Sequence, residues 1–379
     1  MQEELRASNE DLLHQLATLQ RLFGDAKIPP ELSGYRSEIE GVCERLRRQV
    51  QRNLKDLSYD LPDTYENILR QSQTVMRELE LVNSHYAGPI LRSLTDDRLA
   101  LLILRWLHDE HPKARDWPFG LSDGNFAIYP HLDLPSLFFL PWSRQRTLLY
   151  LALLFHEFGH LLYALHKPEM DDLVAEFQQV VGNVLTPLTR RRRKAAESQE
   201  TFRQLVVLRY YEWCQEFFCD AVGLRIGGPA FAKALTSYFR LHGAGEFYVP
   251  RTKQIARRHP VSWLRIKMLV HRCQSHGLSE TATEIESAWL GTARLLKVRE
   301  DYEGTWADDF FMPLRKMLDD MIEEAAPRIF SKDEIGTQGT GTMLTPVALL
   351  NRAWHRFEAD QAGYRSWERS AVSEFLECH

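Results

Sequence analysis

The apolar residues near the start of the chain recur at the spacing of one helix face. Leu5, Leu12 and Leu19 are seven residues apart, and Leu16 and Phe23 follow the last two of them by four residues. This spacing predicts an amphipathic N-terminal helix. Two interpretations of its apolar seam are open. The seam either packs against the rest of the same chain or forms a coiled coil that mediates self-association or binds a protein partner.

Helical periodicity continues through the N-terminal third of the chain. Apolar residues from Ile39 to Leu57 keep the spacing of a helix, a third helix is expected from about residue 63 to 86, and a fourth from about 89 to 111. Prolines, which restrict the backbone, stand near the predicted helix starts. We therefore expect residues 1–112 to form a helical N-terminal region.

The composition changes over residues 117–142, which are rich in proline, glycine and aromatic residues. Two short apolar runs within them, at 126–129 and 137–140, are typical of strands. Helical patterns then resume and predict helices over 143–166, 171–185, 198–224, 228–242, 260–275 and 280–298, with two or three more in the C-terminal tail. The predicted fold class is mainly α with a small β-sheet (α+β), divided into a domain over 113–300 and a helical C-terminal region over 301–379.

Composition and charge exclude several classes of protein. The 379 residues are 44% hydrophobic and 26% charged, with a net charge of −5, so the chain is globular rather than disordered or fibrous. The acidic balance predicts no nucleic-acid partner. Five cysteines do not form a disulfide framework, and the polar N-terminus is not typical of a signal peptide. We expect a cytoplasmic protein.

One stretch, Leu148–Leu165, is apolar and nearly as long as a membrane-spanning helix. Its centre carries His156, Glu157 and His160, and polar groups of this kind are costly in lipid. We therefore expect a buried helix with a polar stripe and no transmembrane segment.

The polar stripe forms an HExxH motif. His156 and His160 are four residues apart, so a helix places both imidazoles on one face, as two nitrogen ligands of Zn²⁺ require. Glu157 lies beside them and is suited to accept a proton from a water on the metal. The alternative is that both histidines are hydrogen-bonded residues of the core.

A catalytic zinc ion needs a third protein ligand, and the pattern that supplies a third histidine fails because Tyr163 replaces its glycine. A later helix offers Glu216 and Asp220, again four residues apart and in an aromatic, apolar segment. Buried carboxylates are costly unless they bind a partner. Glu216 is therefore predicted to complete the zinc ligands and Asp220 to accept the second N–H of a ligand histidine. A solvated acidic face is the alternative.

These motifs, HEFGH at 156–160, EFFCD at 216–220 and His259-Pro260 followed by Arg265, together resemble the gluzincin zinc metallopeptidases. The order HExxH, ExxxD, His-Pro…Arg is similar to that of the CAAX prenyl endopeptidases, the HtpX peptidases and their soluble relatives. The resemblance covers about 120–275. It implies a zincin-like core with helical extensions at both ends, and one zinc ion.

The resemblance also implies a role for each matched residue. His156, His160 and Glu216 would bind zinc, Glu157 would act as general base, and Asp220 would orient a ligand. These five are joined by three further residues. His259 would stabilise the oxyanion or, alternatively, cap a helix; Arg265 would brace the site by an ion pair; and Asn125 would bind an extended peptide substrate from an edge strand.

The sequence therefore predicts a zinc-dependent endopeptidase that acts on a protein or peptide. The rival hypothesis is a helical interaction or regulatory protein that keeps the zinc fold without turnover. A basic run at Arg190–Lys194 admits a nucleic-acid patch or, as we expect, a solvated helix end or loop.

Overall fold

The computed structural model describes residues 2–92, 97–130, 134–141, 147–185, 193–240, 258–298, 300, 302, 304–336 and 345–379. The side chains of 92 and 193–199 are outside this description, as are residues 190–192, so the side chains of the predicted basic run Arg190–Lys194 lie outside it.

Contacts divide the chain into two compact units. The first comprises Met1–Arg105 with Asp116–Gln145, and the second comprises Trp106–Arg115 with Arg146–His379. A compact unit need not fold by itself, so the three predicted domains, 1–112, 113–300 and 301–379, stay a prediction.

Helices dominate the first unit. They are α1 (Gln2–Asp25), α2 (Ser33–Leu57), α3 (Tyr65–Leu81), a π-helical turn (Val82–Tyr86) and α4 (Ala87–Arg92); α5 (Arg98–Glu110) begins in this unit. The predicted third helix therefore ends its α-helical part at Leu81 rather than Tyr86. The predicted fourth helix corresponds to two described helices, α4 and α5.

The apolar seam of α1 is buried inside the first unit. Leu12, Leu16 and Phe23 are almost inaccessible to solvent, and Leu5 belongs to one apolar cluster with Leu57 of α2 and Ile68 of α3. Of the two interpretations of the seam, packing against the same chain agrees with these contacts.

A three-stranded sheet also belongs to the first unit. Its strands are β1 (Phe119–Asp123), β2 (Ala127–Tyr129) and β3 (Ser136–Leu140), in the order β1-β3-β2. Strand β1 is parallel to β3 and β2 is antiparallel to it. The predicted runs correspond to β2 and β3, whereas β1 was not predicted.

Strand β1 is short and contains Gly120, which explains why apolar periodicity misses it. The tertiary contact at this glycine is close: a Cβ atom on Gly120 would lie 2.5 Å from Cε2 of Tyr35 on α2. The hydroxyl of that tyrosine donates a hydrogen bond to the carbonyl of Tyr86 at 2.9 Å. The glycine thus permits β1 to pass against the Tyr35 ring.

The regular elements described in the second unit are all helices. Its elements are α6 (Leu148–Leu151), α7 (Leu154–Leu165), α8 (Lys167–Val184), α9 (Arg193–Gly227), α10 (Pro229–Arg240), α11 (Ser262–Ser275), α12 (Ser279–Leu296), α13 (Phe311–Ala325), α14 (Lys332–Ile335), α15 (Pro346–Ala359) and α16 (Gln361–Cys378). Helices α7, α8 and α11 all pack against the long helix α9. The predicted fold class, mainly α with a small sheet, is confirmed, and the zincin-like core stays a prediction.

The apolar stretch predicted as one buried helix consists of two helices. Helix α6 ends at Leu151 and α7 begins at Leu154. Among the described residues, Leu148–Leu165 is the one helical segment long and apolar enough to cross a membrane, and 78% of it is buried inside the chain.

Candidate metal centre

Helices α7 and α9 approach each other closely where the HExxH motif lies. A Cβ atom on Gly159 would lie 2.8 Å from Cα of Cys219, so a larger residue would push the helices apart. Every residue of α7 from Leu154 to Gly159 is buried. The glycine of HEFGH therefore has a packing reason: it lets the histidine-bearing helix lie directly against α9.

The two histidines of the motif form one cluster on this helix. The ring centroids of His156 and His160 are 5.1 Å apart, and the rings are nearly perpendicular. With the Sγ atom of Cys219 on α9, they form a group whose possible ligand atoms all lie within 4.8 Å of one another. This cluster could hold a metal ion.

Glu216 of α9 lies on the same cluster. Its Oε2 atom is 3.5 Å from Nε2 of His156, and its Oε1 atom is 3.6 Å from Nε2 of His160. Ligands bound at about 2.0–2.1 Å to a tetrahedral zinc ion are separated from one another by about 3.3–3.4 Å. Glu216 thus lies at about the spacing of two ligands of one ion from each of the two histidines.

The remaining polar groups fix the orientation of this cluster. Asp220 Oδ1 is 2.9 Å from Nδ1 of His156. Arg265 of α11 donates two hydrogen bonds of 2.7 Å to the two oxygens of Asp220, and its Nη1 is 2.9 Å from Oε2 of Glu216. Both carboxylates and the guanidinium are buried. One arginine therefore braces both predicted carboxylates, as the ion pair predicted for Arg265 requires.

The charges of the cluster favour a cation. Burial lowers the pKa of His156, but the carboxylates of Asp220 and Glu216 outweigh burial and raise that pKa to about 10. Burial lowers the pKa of His160 to about 4, which leaves this imidazole neutral at pH 7 and able to act as a ligand. Oε2 of Glu216 is buried, with Arg265 Nη1 at 2.9 Å and His156 Nε2 at 3.5 Å.

Glu157 is buried next to this cluster. Burial is the main cause that raises the pKa of its carboxyl group to about 7. His156 lowers this pKa and Glu216 raises it. A carboxyl group with a pKa near the working pH can both accept and return a proton. The environment of Glu157 is therefore suited to general acid–base chemistry.

The other predicted residues are placed differently. His259 is exposed, and its Nε2 lies 3.4 Å from Oε1 of Glu216, so the structure brings it to the edge of the cluster. Asn125 is exposed between β1 and the edge strand β2, in the first compact unit, whereas the cluster belongs to the second. Its predicted contact with a peptide stays a prediction.

Cys219 is not among the residues that the motifs predict for the site, and the structure places it at this cluster. It follows Glu216 by three residues, so both lie on one face of α9, and this spacing was the available signal. Burial, and then the charges of Glu216 and Glu157, hold the pKa of its thiol well above the ordinary value. Because a thiol binds metal as the thiolate, Glu216 is better suited than Cys219 to be the third ligand.

Comparisons of this chain with protein-family models, with curated proteins and with solved structures gave no match. The resemblance to gluzincin peptidases therefore stays a prediction that rests on the three motifs.

Proposed function

We propose that this protein is a zinc-dependent endopeptidase. The observation that carries the proposal is the convergence of His156, His160 and Glu216, whose nitrogen and oxygen atoms lie 3.5 and 3.6 Å apart. Zinc is favoured over magnesium or calcium because two of the three groups are imidazoles, whereas those ions prefer oxygen ligands. When bound, zinc would supply Lewis-acid polarisation of the scissile carbonyl and lower the pKa of a water.

Three side chains of this protein would transfer the proton, orient a zinc ligand and stabilise the oxyanion. Glu157 accepts the proton of the attacking water and returns it to the amine that leaves. Asp220 accepts a hydrogen bond from Nδ1–H of His156, which directs Nε2 toward Glu216. The exposed imidazole of His259 is free to turn toward a substrate and donate a hydrogen bond to the oxyanion.

The rival proposal is a regulatory protein that binds zinc without turnover. Both proposals predict bound zinc, but only the peptidase predicts cleavage of peptides. Metal analysis therefore tests the site, and only cleavage tests the enzyme. We expect the purified chain to carry one zinc ion and to cleave peptides from an unbiased peptide library.

The decisive variant is Glu157→Gln, which keeps the shape of the side chain and removes the base. It should retain zinc and lose cleavage by at least about 100-fold. Glu169→Gln, a carboxylate removed from the exposed start of α8, serves as the matched control and should cleave normally. Zinc retained by both proteins, with no cleavage that depends on Glu157, would favour the regulatory protein.

A further inference from the structure

A cavity lined by polar residues lies in the second compact unit. None of the residues of the metal cluster line it. Its volume is about 300 Å³. Three guanidinium groups line it, from Arg225 of α9, Arg272 of α11 and Arg315 of α13, together with the imidazoles of His271 and His276. Such a cavity is at the small end of the range for small-molecule sites.

The positive charges of this cavity exceed their acidic partners. Asp319 is shared: its Oδ1 accepts a hydrogen bond from Arg272 Nη1 at 3.0 Å, and its Oδ2 lies 3.8 Å from Arg315 Nε. Arg225 donates through Nε to the carbonyl of Pro327 at 3.0 Å. In the part of the chain that the structure describes, no carboxylate forms an ion pair with Arg225. Asp319 and Glu323 are the two carboxylates that line the cavity, so the three guanidiniums exceed them by one positive charge.

The guanidinium of Arg272 is buried at the wall of the cavity. The side chain of Arg272 is 7% exposed, and its buried Nε has no hydrogen-bond partner among the described residues. Burial lowers the pKa of this guanidinium, Arg225 and Arg315 lower it further, and Asp319 opposes them. An anion bound in the cavity would offset this repulsion between the guanidinium groups.

We propose that this cavity binds the phosphate group of a small metabolite. Guanidinium groups bind phosphate through paired, charge-assisted hydrogen bonds, and two imidazoles add donors or acceptors at the wall. The volume of about 300 Å³ leaves room beyond one phosphate group. The ligand is therefore expected to be a phosphate ester rather than inorganic phosphate.

The proposal is tested on the full chain by calorimetric titration with inorganic phosphate and with glycerol 3-phosphate, at an ionic strength matched with sodium chloride. Saturable binding of the ester, or of both probes, supports the site. Binding of inorganic phosphate alone supports an oxyanion site but overturns the ester as its ligand. A response to neither probe beyond that to chloride overturns the proposal.

Two neighbouring substitutions on α13 separate this site from a general effect of charge. Arg315→Gln should weaken the affinity by about tenfold, because one charge-assisted donor is lost. Lys316→Gln also removes one positive charge, but Lys316 is exposed and pairs with Asp320. The affinity of this variant for the probe should therefore equal that of the wild type. Equal loss of affinity in both variants would overturn the site.

A third variant keeps the test decisive if a guanidinium is needed for folding. Asp319→Asn removes the carboxylate that competes with the ligand for Arg272 and Arg315, so it should bind the probe several-fold more tightly than the wild type. If the cluster serves only to hold helices together, Asp319→Asn will unfold more easily and its affinity for the probe will not rise. That result would overturn the proposal without affecting the proposed peptidase.

Discussion

Nδ1 of His156 lies 2.9 Å from Oδ1 of Asp220, and both side chains are buried. The contact joins α7 to α9 and holds the imidazole so that its other nitrogen, Nε2, lies 3.5 Å from Glu216. A carboxylate that accepts from one nitrogen of a histidine fixes the tautomer and leaves the other nitrogen free for a metal ion. This relationship provides the first prediction.

Asp220→Asn should weaken the affinity for zinc by about 10–100-fold, because the amide is a poorer acceptor and no longer fixes the tautomer of His156. Competition with a chromophoric chelator measures the affinity. Glu200→Gln, which removes an ion-paired carboxylate from the same helix, is the control and should bind zinc as the wild type does. Unchanged affinity in Asp220→Asn would show that Asp220 does not orient a ligand.

The close approach of α7 and α9 predicts a large effect at Gly159. Gly159→Ala should lower the free energy of unfolding by about 1–3 kcal/mol, because the new methyl group would lie 2.8 Å from Cα of Cys219. Gly291→Ala is the matched control: that glycine is also helical and has no atom within 4 Å of the new methyl group. It should stabilise the protein by about 0.5–1 kcal/mol. Urea titration distinguishes the two, and equal effects would contradict the packing explanation.

Arg265 should be essential for the stability of the metal-free protein. Arg265→Gln leaves the buried carboxylates of Asp220 and Glu216 without their cation, which should cost about 3–5 kcal/mol. Added zinc should restore part of this loss, since it binds the folded state and supplies positive charge. Arg294→Gln, at an exposed position of α12, is the control and should change stability by less than about 0.5 kcal/mol. If zinc does not raise the melting temperature of Arg265→Gln, zinc and Arg265 do not both neutralise these carboxylates.

His111 should make the stability of the second unit depend on pH. Its Nδ1 donates to the carbonyl of Leu107 at 2.6 Å, and its Nε2 accepts from the N–H of Arg328 at 3.1 Å, so the folded state holds it neutral. Burial is the main cause that lowers its pKa; Arg328 adds to this, while Glu110 and the Leu107 carbonyl oppose it.

The unfolded chain binds a proton at this histidine below about pH 6.5, whereas the folded chain resists it. The stabilisation is therefore present above pH 6.5 and is lost as the pH falls toward the lowered pKa of His111 in the folded state. The difference in unfolding free energy between the wild type and His111→Gln should shrink between pH 7.5 and pH 5.5. Urea titrations at both pH values measure it, and a constant difference would show that His111 does not titrate with unfolding.

Local patterns were sufficient for most of the helices and for part of the site. The seven-residue spacing of α1 and the four-residue spacing of His156 and His160 are properties of a helix face, so they can be recognised without knowing what the face contacts. Strand β1, which was not predicted, shows what local patterns cannot identify. Its Gly120 is explained by the Tyr35 ring, which lies on a helix more than eighty residues earlier in the chain.

By itself, the sequence determined the fold class, the helix that carries the two histidines, and the candidate carboxylates of α9, because each follows from spacing and residue type. The sequence predicted that Asp220 would orient a ligand histidine and that Arg265 would form an ion pair. Only the tertiary structure identified His156 as that histidine, identified Asp220 and Glu216 as the partners of Arg265, and placed Cys219 beside the histidines. Those relationships depend on how closely α7, α9 and α11 pack, and that distance is set by side chains far apart in sequence. The cavity lined by Arg225, Arg272 and Arg315 has the same origin, since these arginines come from three helices and no local pattern links them.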